Sequence, residues 1–455
     1  MKHETVDFAL NLFHGSGFAK LLFSNNGPPN PKEHAAMVLR KEIPTIEVIH
    51  PVCCGMDVHK MSISACLITV DGDGKEQMEI REFGTFFSDL VELRNWLVGN
   101  RCPIVAMEST GVYWRPIYNI LEGSIEVVLA NARHIKNVPG RKTDISDCKW
   151  LAGLLRHGLI KASFIPEKIV RQWRDLTTLR KSHVQTVGDY KRRVHKLFET
   201  ANVKIDSVVS DLFGTTGRNL INLLSSEKTH LTADDIKACA KGSLRSKVKE
   251  LQASLEGFFE DHHRFQLKGM MGIIEKLELE IQSLDERLTQ LMGTQEELLD
   301  RLDEIPGINR VAAQAVLSRI GITLEEFSTE ANFCSWSGLC PGNNESAGKR
   351  KSGRHFVHSH PFKTLIIEIA WAAVKKKGSY YKEKYYRLKA RLGPGKAITA
   401  IGHRIAKAIY HIIKDGQSFK ELGEDYLNNN DKTRKLNNLR KHARRLGFDL
   451  VAIEA

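Results

Sequence analysis

The chain has 455 residues, a length that favours two or three soluble domains. It contains no run of 18 apolar residues, and this excludes a membrane-spanning helix. Its 42% apolar and 27% charged residues exclude a disordered polymer. None of the eight cysteines forms a CxxC pair, which argues against a zinc ribbon or a disulfide scaffold and predicts reduced, buried thiols.

The net charge of +13 is concentrated at one end of the chain. Residues 341–455 contain 25 Lys and Arg against 10 Asp and Glu, whereas residues 1–340 contain 42 against 44. A basic excess over more than a hundred residues predicts a polyanionic partner, namely nucleic acid. The alternative is a solvated charged surface without a partner.

In chain order, residues 1–51 form a leader to which we assign no fold, and short β-like runs follow it. They predict strands at 52–58, 62–70, 78–83, 104–107 and 127–130, with helices at 87–98 and around 117–121. Asp71-Gly72-Asp73-Gly74 is a turn signal between the second and third strands. Three consecutive strands followed by alternating helices and strands predict a mixed sheet with helices packed on it.

The chain then becomes helical, with predicted helices at 144–157 and 167–201, the second of them strongly basic. A strict 4-3 apolar spacing follows, which is typical of a coiled coil and predicts a partner helix from a second copy. The alternative is a long helix packed on its own domain. The residues of this seam are Met270, Ile274, Leu277, Ile281, Leu284, Leu288 and Leu291, resumed by Leu298 and Leu302.

Ile305-Pro306-Gly307-Ile308 then precedes a helix of small residues, a pattern similar to a helix-hairpin-helix element. The free N–H groups of such a hairpin can hold a phosphate, although an ordinary turn between helices has the same pattern.

Four carboxylates are candidates for chemistry. Asp57 lies in an apolar strand, Glu108 ends another, and Asp144 and Asp147 lie three residues apart on one predicted helix face. A carboxylate in a half-buried strand needs a partner or a metal, and oxygen ligands suit Mg²⁺. Taken singly, each has a structural alternative: a helix cap, a first-turn acid or an ion pair.

The motifs around these residues strongly resemble those of the insertion-sequence-110 family of transposases. The resemblance extends from about residue 52 to about 415, and its motifs include GMDVHK at 55–60, MESTGVYW at 107–114, KTDISD at 142–147 and SDLFGTTGR at 210–218, with the segment 305–348. It implies the fold class α/β plus α: an N-terminal RuvC-like, ribonuclease-H-type mixed sheet, a long helical coiled coil, and a mainly helical C-terminal transposase domain.

With that resemblance the domains are expected at 52–165 (RuvC-like), 166–303 (helical and coiled-coil) and 304–415 (C-terminal transposase), followed by a basic tail at 416–455. The resemblance implies that Asp57, Glu108, Asp144 and Asp147 form a DEDD tetrad that is both catalytic and metal-binding, with Mg²⁺ as cofactor. It also implies a serine nucleophile, donor and target DNA as substrates, and a structured bridge RNA that guides the reaction.

The serine is identified as Ser346. The stretch SGLCP at 337–341 matches the family's anchor, and SAGKR at 346–350 follows it, although Ala347 stands where most members have glycine. Ser352 is the alternative. Because attack on a phosphodiester builds negative charge, nearby cations are expected to bind nucleic acid. The predicted nucleic-acid-binding residues are Lys349, Arg350, Lys351 and Arg354, and, on the basic helix, Arg171, Arg174, Arg180, Lys181, Lys191, Arg192 and Arg193.

The family reading therefore predicts a DNA transposase that uses serine and metal together. A metal-only junction-resolving nuclease and a non-catalytic nucleic-acid-binding scaffold are the alternatives. We expect a homo-oligomer, a dimer or a tetramer, located in a prokaryotic cytoplasm and associated with the nucleoid when active, with no membrane partner.

Overall fold

The computed structural model describes residues 47–109, 111–130, 147–226, 228, 231–341, 344–346, 349–352 and 360–451, and between 344 and 352 it describes the backbone alone. The chain divides into two compact units, residues 1–163 and 164–455. Most of the predicted leader lies outside the described residues. Residues 166–303 and 304–415, expected as separate domains, belong to the same unit.

Unit 1 contains a five-stranded sheet whose strands match the predicted runs closely. Its described elements are β1 (Cys53–Val58), β2 (Ile63–Val70), β3 (Glu76–Phe83), α1 (Phe87–Gly99), β4 (Ile104–Glu108), α2 (Trp114–Leu121), β5 (Glu126–Ala130) and α3 (Asp147–Arg156).

The strand order is β3-β2-β1-β4-β5. The first three strands pair antiparallel, whereas β4 pairs parallel to β1 and β5 pairs parallel to β4. This confirms the expected mixed sheet. Because β1 is central and its first four residues are fully buried, it has no alternating polar pattern and reads as a continuous apolar run.

Helix α3 lies very close to the central strand, and Gly55 permits that approach. A Cβ at position 55 would lie 2.3 Å from both the Ala152 nitrogen and the Cys148 oxygen of α3. The contact is apolar, since Cys53, Ala106, Cys148 and Ala152 belong to one buried cluster. Glycine at position 55 therefore determines how closely α3 packs on the sheet.

The regular elements that the structure describes in unit 2 are helices and one pair of antiparallel strands. Its described elements are α4 (Lys168–Thr200), α5 (Ile205–Val208), α6 (Thr215–Ser225), α7 (Ala233–Cys239), a 3₁₀ helix (Gly242–Lys247), α8 (Val248–Leu255), α9 (Asp261–Leu291), a 3₁₀ turn (Gly293–Gln295), α10 (Glu296–Asp303), α11 (Arg310–Ile320), α12 (Glu330–Trp336), β6 (Asn344–Ser346), β7 (Lys349–Ser352), α13 (Pro361–Ala373), α14 (Tyr380–Leu392), α15 (Pro394–Lys414) and α16 (Tyr426–Arg445).

The apolar seam of α9 packs against α4 of the same chain, so the predicted partner helix from a second copy is wrong for this contact. Val194 and Phe198 share a buried cluster with Met271 and Ile274. The two helices run antiparallel, because Arg180 pairs with Asp285 while Lys191 pairs with Glu278. The seam also ends at Leu291, since Leu298 and Leu302 belong to the separate helix α10.

We expect Ile274→Asp to destabilise unit 2 by about 3–5 kcal/mol, because it buries a charge between α4 and α9. Leu279→Asp on the same helix is the matched control, and Leu279 is 68% exposed. Its effect should stay within about 0.5 kcal/mol. Urea unfolding followed by helical circular dichroism compares the two variants, and equal destabilisation would contradict the packing described here.

The C-terminal core contains the predicted hairpin between α10 and α11. Gly307 has a φ of +88°, and a Cβ there would lie 2.5 Å from the Ile369 oxygen and the Ala373 nitrogen of α13. Asn309 caps α11, because its side chain accepts a hydrogen bond from the Ala312 N–H. A tight helix-to-helix hairpin is therefore present, while its binding of phosphate remains a prediction.

Within the described residues, no helix combines the length and the apolar character that crossing a membrane would require.

Candidate active site

Asp57 and Glu108 lie on neighbouring parallel strands, near the carboxyl end of each. The register between β1 and β4 pairs Gly55 with Ala106 and Met56 with Met107. Asp57 directly follows Met56 and Glu108 directly follows Met107. Parallel strands place such residues side by side at one edge of the sheet, where sites gather in open α/β folds.

Both side chains project from the face that α3 covers. Side chains alternate along a strand, so Asp57 shares a face with Gly55, and Glu108 shares one with Ala106. Gly55 and Ala106 both contribute to the contact with α3. Asp147 is the first residue of α3 and immediately precedes Cys148, whose carbonyl lies against Gly55. Asp144 lies outside the described residues.

The structure adds one contact that sequence reasoning did not predict: the His59 imidazole Nε2 lies 3.2 Å from Asp57 Oδ2. The Asp57 side chain is 30% exposed, so solvent reaches it. Glu108 and Asp147 also make interactions of their own.

Potential ligand atoms converge most closely elsewhere. Among the described side chains, those of Glu260, His262 and His263 bring three potential ligand atoms within 4.8 Å of one another. The three described carboxylates of the tetrad do not form such a group, although their backbone positions share one face and one end of the sheet.

The donor chemistry of the tetrad nevertheless fits a divalent cation. Asp57, Glu108 and Asp147 supply only carboxylate oxygens, the ligands that a hard cation such as Mg²⁺ takes. Two of them come from adjacent strands and the third from the helix packed on that face. A softer metal would be expected to select imidazole or thiolate ligands instead.

The thiols near this site are inert. All eight cysteines are free, and Cys53, Cys54 and Cys66 are buried in the sheet. Burial raises the pKa of Cys53 to about 12 and that of Cys66 to about 11. These side chains are therefore neutral thiols at physiological pH, and a neutral thiol is a poor nucleophile.

The candidate serines lie on the β6–β7 hairpin of unit 2. In the register of these two strands Ser346 pairs with Lys349, whereas Ser352 pairs with Asn344. The backbone is irregular between Asn344 and Glu345. Arg354 lies outside the described residues, and the side chains of Lys349, Arg350 and Lys351 are also outside them.

The stretch before the hairpin has a structural role. Ser337 is fully buried, and its hydroxyl donates to the Cys334 carbonyl at the end of α12. Gly338 has a φ of +69°, and the Leu339 side chain enters the C-terminal core. These residues end α12 and anchor the chain just before the hairpin. Ser337 is excluded as a nucleophile, because its hydroxyl is buried and already bonded.

Several of the cations predicted to bind nucleic acid make contacts within the chain. Arg174 donates to the carbonyls of Ser318 and Arg319, and Arg171 donates to the Pro166 carbonyl. The other predicted cations of α4 pair with carboxylates or, for Arg193, lie over an aromatic ring. These pairs are Arg180–Asp285, Lys181–Glu368, Lys191–Glu278, Arg192–Asp189 and Arg193–Tyr190.

The basic tail has a more open surface. Helix α16 contains seven Lys and Arg against one acidic residue, Asp431, which pairs with Arg387 of α14. Of its twenty side chains only Leu427 is buried. This helix therefore presents its positive charges to solvent.

Comparison with known proteins finds two family models in this chain. The DEDD transposase model of the IS110 family matches residues 54–203, and the model of the IS116/IS110/IS902 transposase family matches residues 299–387. No curated protein matches the chain. Among solved structures, Thermus thermophilus RuvC is similar at 13% identity and a TM-score of 0.19, over 25% of this chain and 99% of the RuvC chain.

The first model contains Asp57, Glu108, Asp144 and Asp147, and the second contains the hairpin with Ser346. They follow each other in the order expected of one transposase and together match more than half of the chain. This chain therefore belongs to the IS110 family of transposases.

Proposed function

We propose that this transposase cuts and rejoins donor and target DNA with Ser346 as nucleophile and with Asp57, Glu108, Asp144 and Asp147 as ligands of Mg²⁺. The observation that carries the proposal is the position of Asp57 and Glu108 at the same end of adjacent parallel strands, on the face where α3 begins with Asp147. Membership of a DEDD transposase family supports the same assignment.

A bound Mg²⁺ would act as a Lewis acid that stabilises the charge developing on a phosphodiester. The protein positions the carboxylates that would bind this ion. Asp57 and Glu108 are held by strands buried in the sheet, and Asp147 is held by the close contact between α3 and Gly55. His59, 3.2 Å from Asp57, is suited to orient that carboxylate.

The serine step follows from phosphoryl-transfer chemistry. The Ser346 hydroxyl attacks the phosphorus, a bond to the serine oxygen forms, and the strand's own P–O bond breaks. The serine proton leaves with the departing strand oxygen, which becomes a hydroxyl. Because the new ester retains the phosphodiester, a strand hydroxyl can reverse the step and rejoin the DNA without a high-energy cofactor. Lys349, Arg350, Lys351 and Arg354 are the cations proposed to offset the developing charge.

A structured bridge RNA is proposed to choose the DNA sites by base pairing, so that the protein reads mainly backbone and shape. Recombination cuts and rejoins several strands, and one site handles one strand at a time. We therefore propose that the working assembly contains at least two copies of the chain, as a dimer or a tetramer.

The experiment incubates the full-length protein with Mg²⁺, the DNA that flanks its gene, and RNA transcribed from the adjacent non-coding stretch. Recombined product that depends on the RNA supports the proposal. Cutting without a protein–DNA adduct would instead favour the metal-only nuclease, and binding without cutting would favour the scaffold.

Nucleic-acid binding should weaken steeply with salt. Each phosphate neutralised on a single strand contributes a slope of about −0.7 to the plot of log affinity against log salt. Deleting residues 426–451, the segment that contains α16, should make that slope less negative by several times this value of about 0.7. Fluorescence anisotropy with a labelled oligonucleotide measures it, and an unchanged slope would show that this basic helix makes no phosphate contacts.

A further inference from the structure

A cleft of about 860 Å³ lies within unit 2, between α4, α11 and α13. Its walls are mainly apolar. Ile308 and Val311, at the hairpin and the start of α11, form one side, and Leu365 and Ile369 of α13 form another. Ligand pockets in proteins are typically of about 300–1,000 Å³ and combine apolar walls with a few polar groups. This cleft has the size and the lining of such a pocket.

One polar side chain of the cleft, Gln314 of α11, lacks a partner. It is only 3% exposed, yet its amide forms no hydrogen bond with any group of the described residues. Five side-chain polar atoms of those residues are fully enclosed without a partner, and neither amide atom of Gln314 is one of them. The amide therefore reaches the cleft, which Gln314 lines. Since buried amides are nearly always bonded, Gln314 indicates a ligand that offers both a donor and an acceptor.

Thr177 shows the contrasting, satisfied state. It lines the same cleft and is also buried, but its hydroxyl lies 3.0 Å from the Ser318 hydroxyl and is bonded to it. The polar groups of the cleft are thus not all unpaired, and the free amide is particular to Gln314.

The cleft also contains a cation with unused donors. Arg319 donates Nη2 to the Thr178 hydroxyl at 3.0 Å, and a guanidinium has five N–H donors in all. Burial lowers the pKa of Arg319, against the opposing effect of Asp175, so this cation is partly desolvated. The other cations that line the cleft are held in the ion pairs Arg180–Asp285 and Lys181–Glu368.

The start of α11 adds two further donors. Asn309 accepts the Ala312 N–H with its side chain and the Ala313 N–H with its carbonyl. The N–H groups of Arg310 and Val311 precede these bonds and have no partner within the helix. Because Val311 lines the cleft, the positive end of an 11-residue helix lies at its edge. An apolar occupant alone would leave these donors and Arg319 without an anion.

We propose that the cleft receives one unstacked nucleotide of a single nucleic-acid strand. Its base lies between the apolar walls with one edge on the Gln314 amide, and the adjoining phosphates lie on Arg319 and at the start of α11. The assignment to a strand rests on the proposed function, since a transposase acts on nucleic acid. Splayed-out bases are recognised through hydrogen bonds to their edges, and an amide complements such an edge because it has an acceptor oxygen and two donors.

The test uses the full-length protein and a single-stranded DNA oligonucleotide that contains 2-aminopurine, a base whose fluorescence rises when it leaves the stack. We expect the fluorescence to rise several-fold when the wild type binds. Gln314→Met keeps the length of the side chain and removes the amide, so it should remove most of that rise and weaken binding about tenfold. Arg319→Gln should make the slope of log affinity against log salt less negative by about 0.7.

Melting experiments without nucleic acid give a second measure. Gln314→Met should raise the melting temperature, because it removes a buried amide that has no partner in the free protein. Gln252→Met is the matched control, since Gln252 is an exposed glutamine of α8 outside the cleft. It should match the wild type in fluorescence, affinity and melting temperature.

The outcomes separate this inference from the proposed function. Binding without a fluorescence rise, or an equal rise with Gln314→Met, would overturn the nucleotide site and leave the proposed function standing. A melting temperature lowered by Gln314→Met would show that the amide is bonded within the fold and would also overturn the site. A rise that Gln314→Met removes, in a protein that forms no adduct on Ser346, would support the site and overturn the serine chemistry. A wild type that binds no nucleic acid would overturn both.

Discussion

Asp57→Asn is expected to reduce Mg²⁺-dependent strand cleavage by at least about 10³-fold while leaving the fold of unit 1 intact. The substitution keeps the size of the side chain and removes the negative charge at the centre of the proposed tetrad. The position is 30% exposed and its neighbour is His59, so an amide can be accommodated there without burying an unpaired charge. Cleavage of labelled DNA in Mg²⁺ measures the loss.

Glu82→Gln is the matched control, because Glu82 is an exposed carboxylate on the edge strand β3 of the same sheet. It should cleave like the wild type. A melting experiment gives a second measure: Mg²⁺ should raise the melting temperature of the wild type and of Glu82→Gln, but raise that of Asp57→Asn much less. Cleavage by Asp57→Asn at the wild-type rate would contradict a catalytic metal tetrad.

Gly55→Ala is expected to destabilise unit 1 by about 3 kcal/mol or more and to abolish cleavage. The added Cβ would lie 2.3 Å from backbone atoms of Cys148 and Ala152, so α3 itself must move away from β1. Asp147 is the first residue of α3 and would move with it. The variant thus tests whether the contact between helix and strand holds the site together.

Gly153→Ala provides the control on the same helix. A Cβ at position 153 meets no atom within 4 Å, and alanine favours a helix by about 1 kcal/mol over glycine. We expect this variant to be as stable as the wild type or more stable, and fully active. Thermal unfolding and the cleavage assay rank the three proteins. A stable, active Gly55→Ala would show that α3 does not need its close position.

The strands β1, β2, β4 and β5 of unit 1 were predictable because each is a short apolar run. The turn at Asp71 was also predictable: its side chain accepts hydrogen bonds from the N–H groups of Asp73 and Lys75, as an Asp-Gly turn signal implies. The buried face of α1 was equally clear, since Leu90, Leu93 and Trp96 recur at helical spacing and are buried.

The partner of the α9 seam was not predictable in the same way. A 4-3 spacing indicates an apolar stripe and does not identify the helix that covers it. The covering helix, α4, carries its own stripe of Val187, Val194 and Leu197 among basic residues that obscure it. From its sequence, such a basic helix resembles a nucleic-acid-binding surface. In the structure, however, Arg180 pairs with Asp285, which lies 105 residues further along the chain. Contacts at that sequence separation leave no local pattern.

Asp57 could be selected as a candidate site residue for a different reason. It interrupts an apolar strand, and a carboxylate there is costly to bury unless it has a partner or a metal. The role of Gly55, by contrast, depends on the backbone of α3 and has no signature in the spacing of residues.

We propose that a serine and a metal tetrad act together in this transposase. The most direct measurement traps the reaction of the full-length protein with DNA, guide RNA and Mg²⁺, digests the protein, and identifies by mass spectrometry the residue joined to DNA. We predict an adduct on Ser346 that is absent from both Ser346→Ala and Asp57→Asn. An adduct on Ser352 would correct the nucleophile, and recombination without any protein–DNA adduct would contradict the account.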